Sequence, residues 1–481
     1  MMHHTMKYSR LSQYFALVFF CFTVSAEVQA QVETRGASML GTGGGGPAFV
    51  RDNDAITFNP ANLLLSDRGA RVVLTLGNTS AFSGGDLFQF NYYNDFFTGG
   101  RSLTDADVSE VLDGWFGSTE ANEQRTAGLY AEFVPLALTV RRDSWAIGVA
   151  VRARSFNRVG INRGWLDLVL RGLDENRNIP IDGSFASMAT TEVSVALNHR
   201  MGRLLVGVAP KVVFGTSYSR GVFTSTASVS DDAVTHDFDY TIRTAGAISR
   251  DFFNTFDLFQ SDPFSDVSFS NPFGSVAGKG FGVDLGLTYL ASQNVLVSVS
   301  LTDLGSVSWD TDAQVVTPTN RSFRFEGLEL DTGRINDEFD GDVGSYAENV
   351  LDSLAREAYD DVNRAPGGFS TSLPTALHFG SAWYFGRLSM NMGLSKALND
   401  APGNLTQKAS FHAGGEYRLG PFPLRAGFRF GGNGALTIGG GIGLRTGVYE
   451  FGIAVSASPK SDTMGAGGRY SVALSLVNIH L

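Results

Sequence analysis

The chain has 481 residues, with 37 basic and 48 acidic side chains and a formal net charge of −11 at pH 7. That balance argues against a nucleic-acid partner, whose binding rests on Lys and Arg neutralising phosphates. The charged fraction, 18%, falls below the roughly 25% of soluble domains, while Gly (57) and Phe (37) are abundant. Such a composition suits a chain whose outer face meets lipid rather than water.

Residues 1–30 read as an export signal. Lys7 and Arg10 form the positive region, residues 14–24 the apolar run, and Val28-Gln29-Ala30 a small-residue cleavage site that leaves Gln31 first in the mature chain. The run is shorter than the roughly 20 residues of a spanning helix. Phe20, bulky where a small residue is expected, argues against lipidation of Cys21. Removing the signal removes the only cysteine, and with it disulfides, thiol chemistry and Cys-ligated metal.

Residues 31–69 carry no strand periodicity. With no task in a bilayer, they are expected to fold into the periplasmic end of a lumen as a plug or hatch. Gly41-x-Gly43-x-x-Gly46 is no dinucleotide fingerprint, since no strand precedes it and no helix follows; it reads as a flexible leader. Asn59-Pro60-Ala61 reads either as the turn entering the first strand or as a hatch element gating a tunnel.

Residues 70–481 show period-two alternation. Trp145, Ile147, Val149 and Val151 alternate with Ala146, Gly148, Ala150 and Arg152, and Leu424, Ala426, Phe428 and Phe430 with Arg425, Gly427 and Arg429. Tight turns, such as those near Arg142-Asp143 and Gly420-Pro421, take turns with long connections at 83–126, 157–190, 219–279 and 310–372. That asymmetry marks a transmembrane barrel rather than a sandwich. Fourteen strands result, with both termini on the periplasmic side. The stretch near 222–243 reads as an extracellular hairpin, with sixteen strands as the alternative. Helices are expected at about 105–116 and after the capping box Ser345-x-x-Glu348. Apolar parity slips between Leu476 and Val477, which predicts a bulge or short tail.

Asn59-Pro60-Ala61-Asn62-Leu63 resembles the stretch ahead of the first strand in FadL/TodX-type outer-membrane transporters, and in related Bacteroidota barrels that include the PorV-type secretion component. Gly280-x-Gly282-x-Asp284-x-Gly286, Thr302-Asp303-Leu304-Gly305 with Trp309, and Leu373-Pro374-Thr375 resemble a narrower family of Bacteroidota-type barrels with a domain of unknown function. The resemblance implies a fourteen-stranded all-β transmembrane barrel with an N-terminal hatch. By analogy of fold it implies passive movement of hydrophobic compounds.

No enzyme motif is present: no Walker lysine, nucleophile elbow or His-Glu-x-x-His. The scattered mature histidines offer no metal site, and no cofactor is expected. Asn336–Asp342 is acidic but lacks the bidentate glutamate of a calcium loop, so it reads as a solvated loop, with weak divalent-cation binding as the alternative. By strand parity Arg152, Arg154, Asp284, His412, Glu416, Arg418, Arg425, Arg429 and Glu450 face the lumen. They either pair among themselves and with the plug, or Arg152, Arg154, Arg425 and Arg429 orient a carboxylate ligand. The reading is an outer-membrane barrel of a Gram-negative bacterium, in contact with membrane lipid, taking up small hydrophobic or amphiphilic molecules. The alternatives are a non-transporting barrel that docks secretion or surface proteins, and a general porin. Phe96, Phe97, Phe252, Phe253, Phe256 and Phe259 would line a greasy entry or a docking surface.

Overall fold

The computed structural model describes residues 36–66, 69–85, 87, 92–98, 102–117, 123–173, 177–230, 233–246, 275–326, 330–346, 349–350, 353, 362–404, 409–431, 436–458 and 469–481. The predicted export signal, Glu348 and Phe252, Phe253, Phe256 and Phe259 lie outside them.

Alternation of apolar with small or polar residues builds fourteen strands: β1 (Val72–Gly84), β2 (Arg125–Arg141), β3 (Trp145–Ile161), β4 (Gly183–Met201), β5 (Leu204–Ser230), β6 (Gly278–Leu290), β7 (Val295–Trp309), β8 (Ala376–Phe385), β9 (Leu388–Ala397), β10 (Ser410–Leu419), β11 (Phe422–Gly431), β12 (Thr437–Thr446), β13 (Tyr449–Ala457) and β14 (Arg469–His480). Each pairs antiparallel with the next. β14 closes on β1, from Val73↔His480 to Gly84↔Arg469. Closure satisfies every wall strand on both sides and leaves no edge.

The outer face is apolar: Leu129, Leu197, Leu287, Phe379, Phe428 and Ile453 all stand exposed. Residues of the opposite parity, such as Ala146, Ser298, Ser300 and Thr302, are buried inside. No described helix is long and apolar enough to cross a membrane.

One end of the barrel carries tight turns, four of which hold a glycine at positive φ (Gly202, Gly386, Gly420 and Gly447). At the other end β5 runs past the wall and pairs with Ala233–Gly246, forming the hairpin expected near 222–243. Further short strands, Gln314–Pro318, Ser322–Phe325 and Val362–Pro366, extend this sheet. The connection at 310–372 is therefore partly strand.

A helix at Asp105–Phe116 opens with a capping box formed by Thr104 and Asp107. The amphipathic helix Arg163–Arg171 shortens the connection expected at 157–190. The cap expected from Ser345 comes instead from Asp342. Its carboxylate accepts from the backbone N–H groups of Gly344 (2.8 Å) and Ser345 (3.3 Å) and from the Ser345 hydroxyl (2.9 Å). The Ser345 hydroxyl is thus spent as a donor. The parity slip near Leu476 is a real register shift, between Glu450 and Gly452 of β13 opposite Asn478 and Ser475.

Candidate functional site

Residues 36–66 lie inside the barrel against its wall. The glycine run is not a flexible leader. Gly43 has φ 77°, and a Cβ there would lie 2.6 Å from the Phe428 carbonyl oxygen; the run is a tight turn pressed on β11. Asn59, Ala61 and Asn62 are fully buried. The Asn59 amide donates to the Pro47 carbonyl (2.7 Å) and to Thr288 Oγ1 (3.2 Å), while its Oδ1 accepts from Ala61 N–H. Asn198 donates to the Ala61 carbonyl at 2.7 Å. A Cβ on Gly286 would lie 2.0 Å from Asn59 Oδ1, and one on Gly207 2.1 Å from Ala61 N. Asn59-Pro60-Ala61 is therefore bonded directly to the wall, with wall glycines admitting it.

Above this segment, toward the long connections, seven charged side chains form a buried belt. Arg152 (β3) meets Glu192 (β4) at 2.7 Å, Asp303 (β7) at 3.4 Å and Glu132 (β2) at 3.5 Å. Arg154 pairs with Asp303 at 2.8 Å and with Glu192. Lys211 (β5) meets Asp284 (β6) at 2.7 Å and also pairs with Asp303. Three cations face four carboxylates, leaving one negative charge. Charges this deep hold only through mutual pairing and hydrogen bonds. Asp303 adopts φ 56°, a left-handed bulge that Asp tolerates, beside the register shift between Val283 and Leu285. Its N–H donates to Asp284 Oδ1 at 2.6 Å, and its carbonyl accepts from Thr375 Oγ1 at 2.9 Å. The residues quoted for the narrower resemblance thus converge on one place.

On the long-connection side of the belt, Phe82, Tyr130, Phe156, Met188, Tyr218 and Trp309 make an apolar layer drawn from six strands. The Tyr130 hydroxyl donates to Glu132 at 2.5 Å, and Arg154 stacks on Phe156, tying the layer to the belt. Residues 398–404 fold inward over it as a strap. Asp400 pairs with Arg220 (2.6 Å), and Arg158 donates to the Asn404 carbonyl (3.1 Å). A Cβ on Gly403 would fall 2.7 Å from the Phe156 ring.

Toward the tight turns, Arg425 pairs with Glu416 (2.9 Å) and Glu450 (3.4 Å), and Arg445 meets both at 3.0 Å. His412 packs against Gly393, Gly44 and Gly46. Arg429 faces inward but is only half-buried, and Arg418 sits near the rim at the Gly386 turn. Arg152, Arg154 and Arg425 are all engaged with carboxylates, so no free arginine cluster forms among these three. Two polar cavities, of about 70 and 20 Å³, separate the inner segment from β1 and its neighbours; Asn53, Asp54, Thr75 and Asn78 line both. Burial, then Glu132, Asp52 and Glu450, push the Asp54 carboxyl up to about 7 against the pull of Arg425.

Glu132, Glu192 and Lys211 were not singled out from sequence. The signal that could have found them is an ionisable residue at lumenal parity within an apolar strand, the same signal that marks Arg152. The acidic stretch 336–342 places Asp340 and Gly341 in a left-handed turn between two caps, Asp331 and Asp342. Phe96 is buried and Phe97 exposed beside Trp115.

A closed antiparallel barrel of fourteen strands is a fold that resembles those of outer-membrane proteins. The chain belongs to DUF5723, a family of unknown function, which it matches over residues 65–455. Among solved structures it is similar to a deletion mutant of the TodX monoaromatic hydrocarbon channel (13% identity, TM-score 0.50, covering 94% of this chain and 100% of that one). It is also similar to the Pseudomonas putida toluene transporter TodX (11%, 0.48, 93% and 99%) and the Ralstonia pickettii toluene transporter TbuX (13%, 0.47, 93% and 99%). At these identities the likeness concerns the fold. No curated protein matches the chain.

Proposed function

We propose that the protein is an outer-membrane barrel of a Gram-negative bacterium, with its tight turns toward the periplasm and residues 31–69 as its plug, and that it admits small, uncharged hydrophobic molecules. The observation that carries this reading is the order of layers along the bore: strap, aromatic layer, then an ionic belt whose cations are all paired. An apolar solute can occupy the aromatic layer by displacing the strap, since the layer's surfaces are apolar and its polar atoms are already engaged, Tyr130 with Glu132 and the Trp309 N–H with Thr371. A carboxylate gains little, because Arg152 and Arg154 are committed to Glu192 and Asp303 and the belt already carries a surplus negative charge. The filled lumen argues against a general porin. The hydrocarbon channels among the similar structures support the reading at the level of architecture.

The test is mass spectrometry of small molecules co-purifying with the detergent-extracted barrel, against an unrelated barrel purified identically. Specific enrichment of a neutral apolar compound is expected. Enrichment of carboxylates, or only bulk lipid in both samples, counts against it. A second reading, a protein-docking barrel, is favoured by the sheet that β5 and Ala233–Gly246 project beyond the wall.

A further inference from the structure

The smaller cavity between the lumenal segment and the wall is about 20 Å³, room for one water-sized occupant. Among the described residues its charged lining consists of two carboxylates, Asp54 and Glu132, with no cationic side chain. The rest of its polar lining is carboxamide and hydroxyl: Asn53, Asn78, Thr57, Thr75, Thr79 and Ser80.

Three further observations point to an occupant. Asn78 is 6% exposed, and its Oδ1 has no hydrogen-bond partner, although a buried acceptor left unmet forfeits its hydration. Asp54 makes no hydrogen bond or salt bridge with any described residue. The charge balance is also open. The belt that includes Glu132 carries one surplus negative charge and Asp54 adds a second, whereas Asp52 is matched by Arg141 (2.6 Å) and Glu416 and Glu450 by Arg425 and Arg445.

We infer that this cavity is a binding site for one hard divalent cation of the calcium class, held by Asp54, Glu132, the Asn78 carboxamide oxygen and neighbouring hydroxyls. Hard cations take oxygen ligands of this kind, and calcium tolerates irregular sets of six to eight. The ion bridges Asp54 of the lumenal segment to Glu132 and Asn78 of the wall. It does so where β1 is kinked: Gly77, at φ 75°, lies beside Asn78 and drops out of the register with both neighbouring strands.

The test uses the full detergent-extracted barrel, stripped with a chelator and titrated with calcium chloride by calorimetry and thermal unfolding at pH 8. Wild type is expected to bind one calcium per barrel and to unfold at a higher temperature with it. Asp54→Asn is expected to weaken binding more than tenfold, and Asn78→Ala several-fold. The second variant decides if the first does not fold, as judged by heat-modifiable electrophoretic mobility. Asp340→Asn, in the exposed acidic turn, should change neither. No binding by wild type, full binding by a folded Asp54→Asn barrel, loss of binding in Asp340→Asn, or a response to sodium alone would each overturn the assignment.

Discussion

Against β5, β6 and β11 the lumenal segment presses closely on wall glycines, whereas polar side chains and water-sized space lie between Asn53–Asp54 and both β1 and the ends of β13 and β14 around Glu450 and Asn478; farther along those two strands Ala37 and Leu40 pack directly on Ala454 and Ala473. The difference follows from composition. On the first side the wall offers Gly207, Gly286 and Gly427, where a Cβ would fall within 2.3 Å of the segment. On the second it offers Thr75, Asn78, Glu450 and Asn478, of which Thr75 accepts from Asn53 of the segment (2.8 Å) and donates to Asn478 (2.6 Å). A glycine contact fixes position by shape and is indifferent to pH and ions. A polar contact is only as firm as its charges are balanced. The same lumenal peptide is thus clamped along one flank and conditionally attached along the other.

The ionic belt above both flanks should give the largest response. Lys211→Met removes the cation that serves Asp284 and Asp303 and leaves four carboxylates against two arginines. Removing one partner from a buried ionic network costs about 3–5 kcal/mol. Thermal unfolding in detergent should show that loss, and a change under about 1 kcal/mol would mean that water reaches the belt. Next in size is the shape-held flank. Gly207→Val forces branched carbon into the Ala61 backbone, and overpacking of this kind costs about 1–3 kcal/mol. The barrel should still form, but limited proteolysis should cut within 36–66. Unchanged protection would show that the glycine contacts do not hold the segment.

Much of the wall was legible in the sequence because a strand that separates lipid from lumen must alternate, and residues such as Val149 and Ala150 announce their faces directly. The site was legible only in part. Arg152 and Arg154 stood out as charges at lumenal parity, but their partners come from β2, β4 and β7, and spacing along one chain does not show which strands meet across a bore. Asp303 shows a second limit. Its left-handed bulge turns the side chain into the belt at a place where strict parity would be broken. The Gly41–Gly46 run illustrates a third. Glycines that permit close approach and glycines that confer flexibility have the same composition, and only the wall at Phe428 decides between them.

The polar flank should respond to pH more than to shape. The Asp54 carboxyl lies at about 7 in the folded barrel against 3.8 ordinarily, so the folded state binds this proton more tightly than the unfolded chain. The sign follows: its contribution is fully present below about pH 4 and is lost as pH rises through 7. Three units correspond to about 4 kcal/mol as an upper figure. In chelator, Asp54→Asn should match wild type at pH 4 and be the more stable at pH 8. Parallel pH profiles for the two proteins would show that Asp54 titrates normally and is in contact with bulk water.

The smallest effect on stability is expected at the strap, where it should come apart from the effect on access. Asp400 and Arg220 keep 61% and 33% of their side-chain surface exposed, and ion pairs in that setting contribute about 0–1 kcal/mol. Asp400→Ala should therefore leave the unfolding temperature within a degree or two of wild type. The strap's other ties, Arg158 to the Asn404 carbonyl and Asn399 to the Leu373 carbonyl (2.8 Å), remain in place. If residues 398–404 cover the aromatic layer against solutes, the loss of even a fraction of a kcal/mol raises the open population severalfold. A neutral aromatic probe should then enter faster, and its equilibrium occupancy should rise by at most the same factor. Stopped-flow quenching of tryptophan fluorescence, with Trp309 in the layer as reporter and Trp309→Phe as control, measures that rate. Unchanged kinetics would mean that solutes reach the layer by another path, and the strap would then belong with the clamped flank as fixed structure.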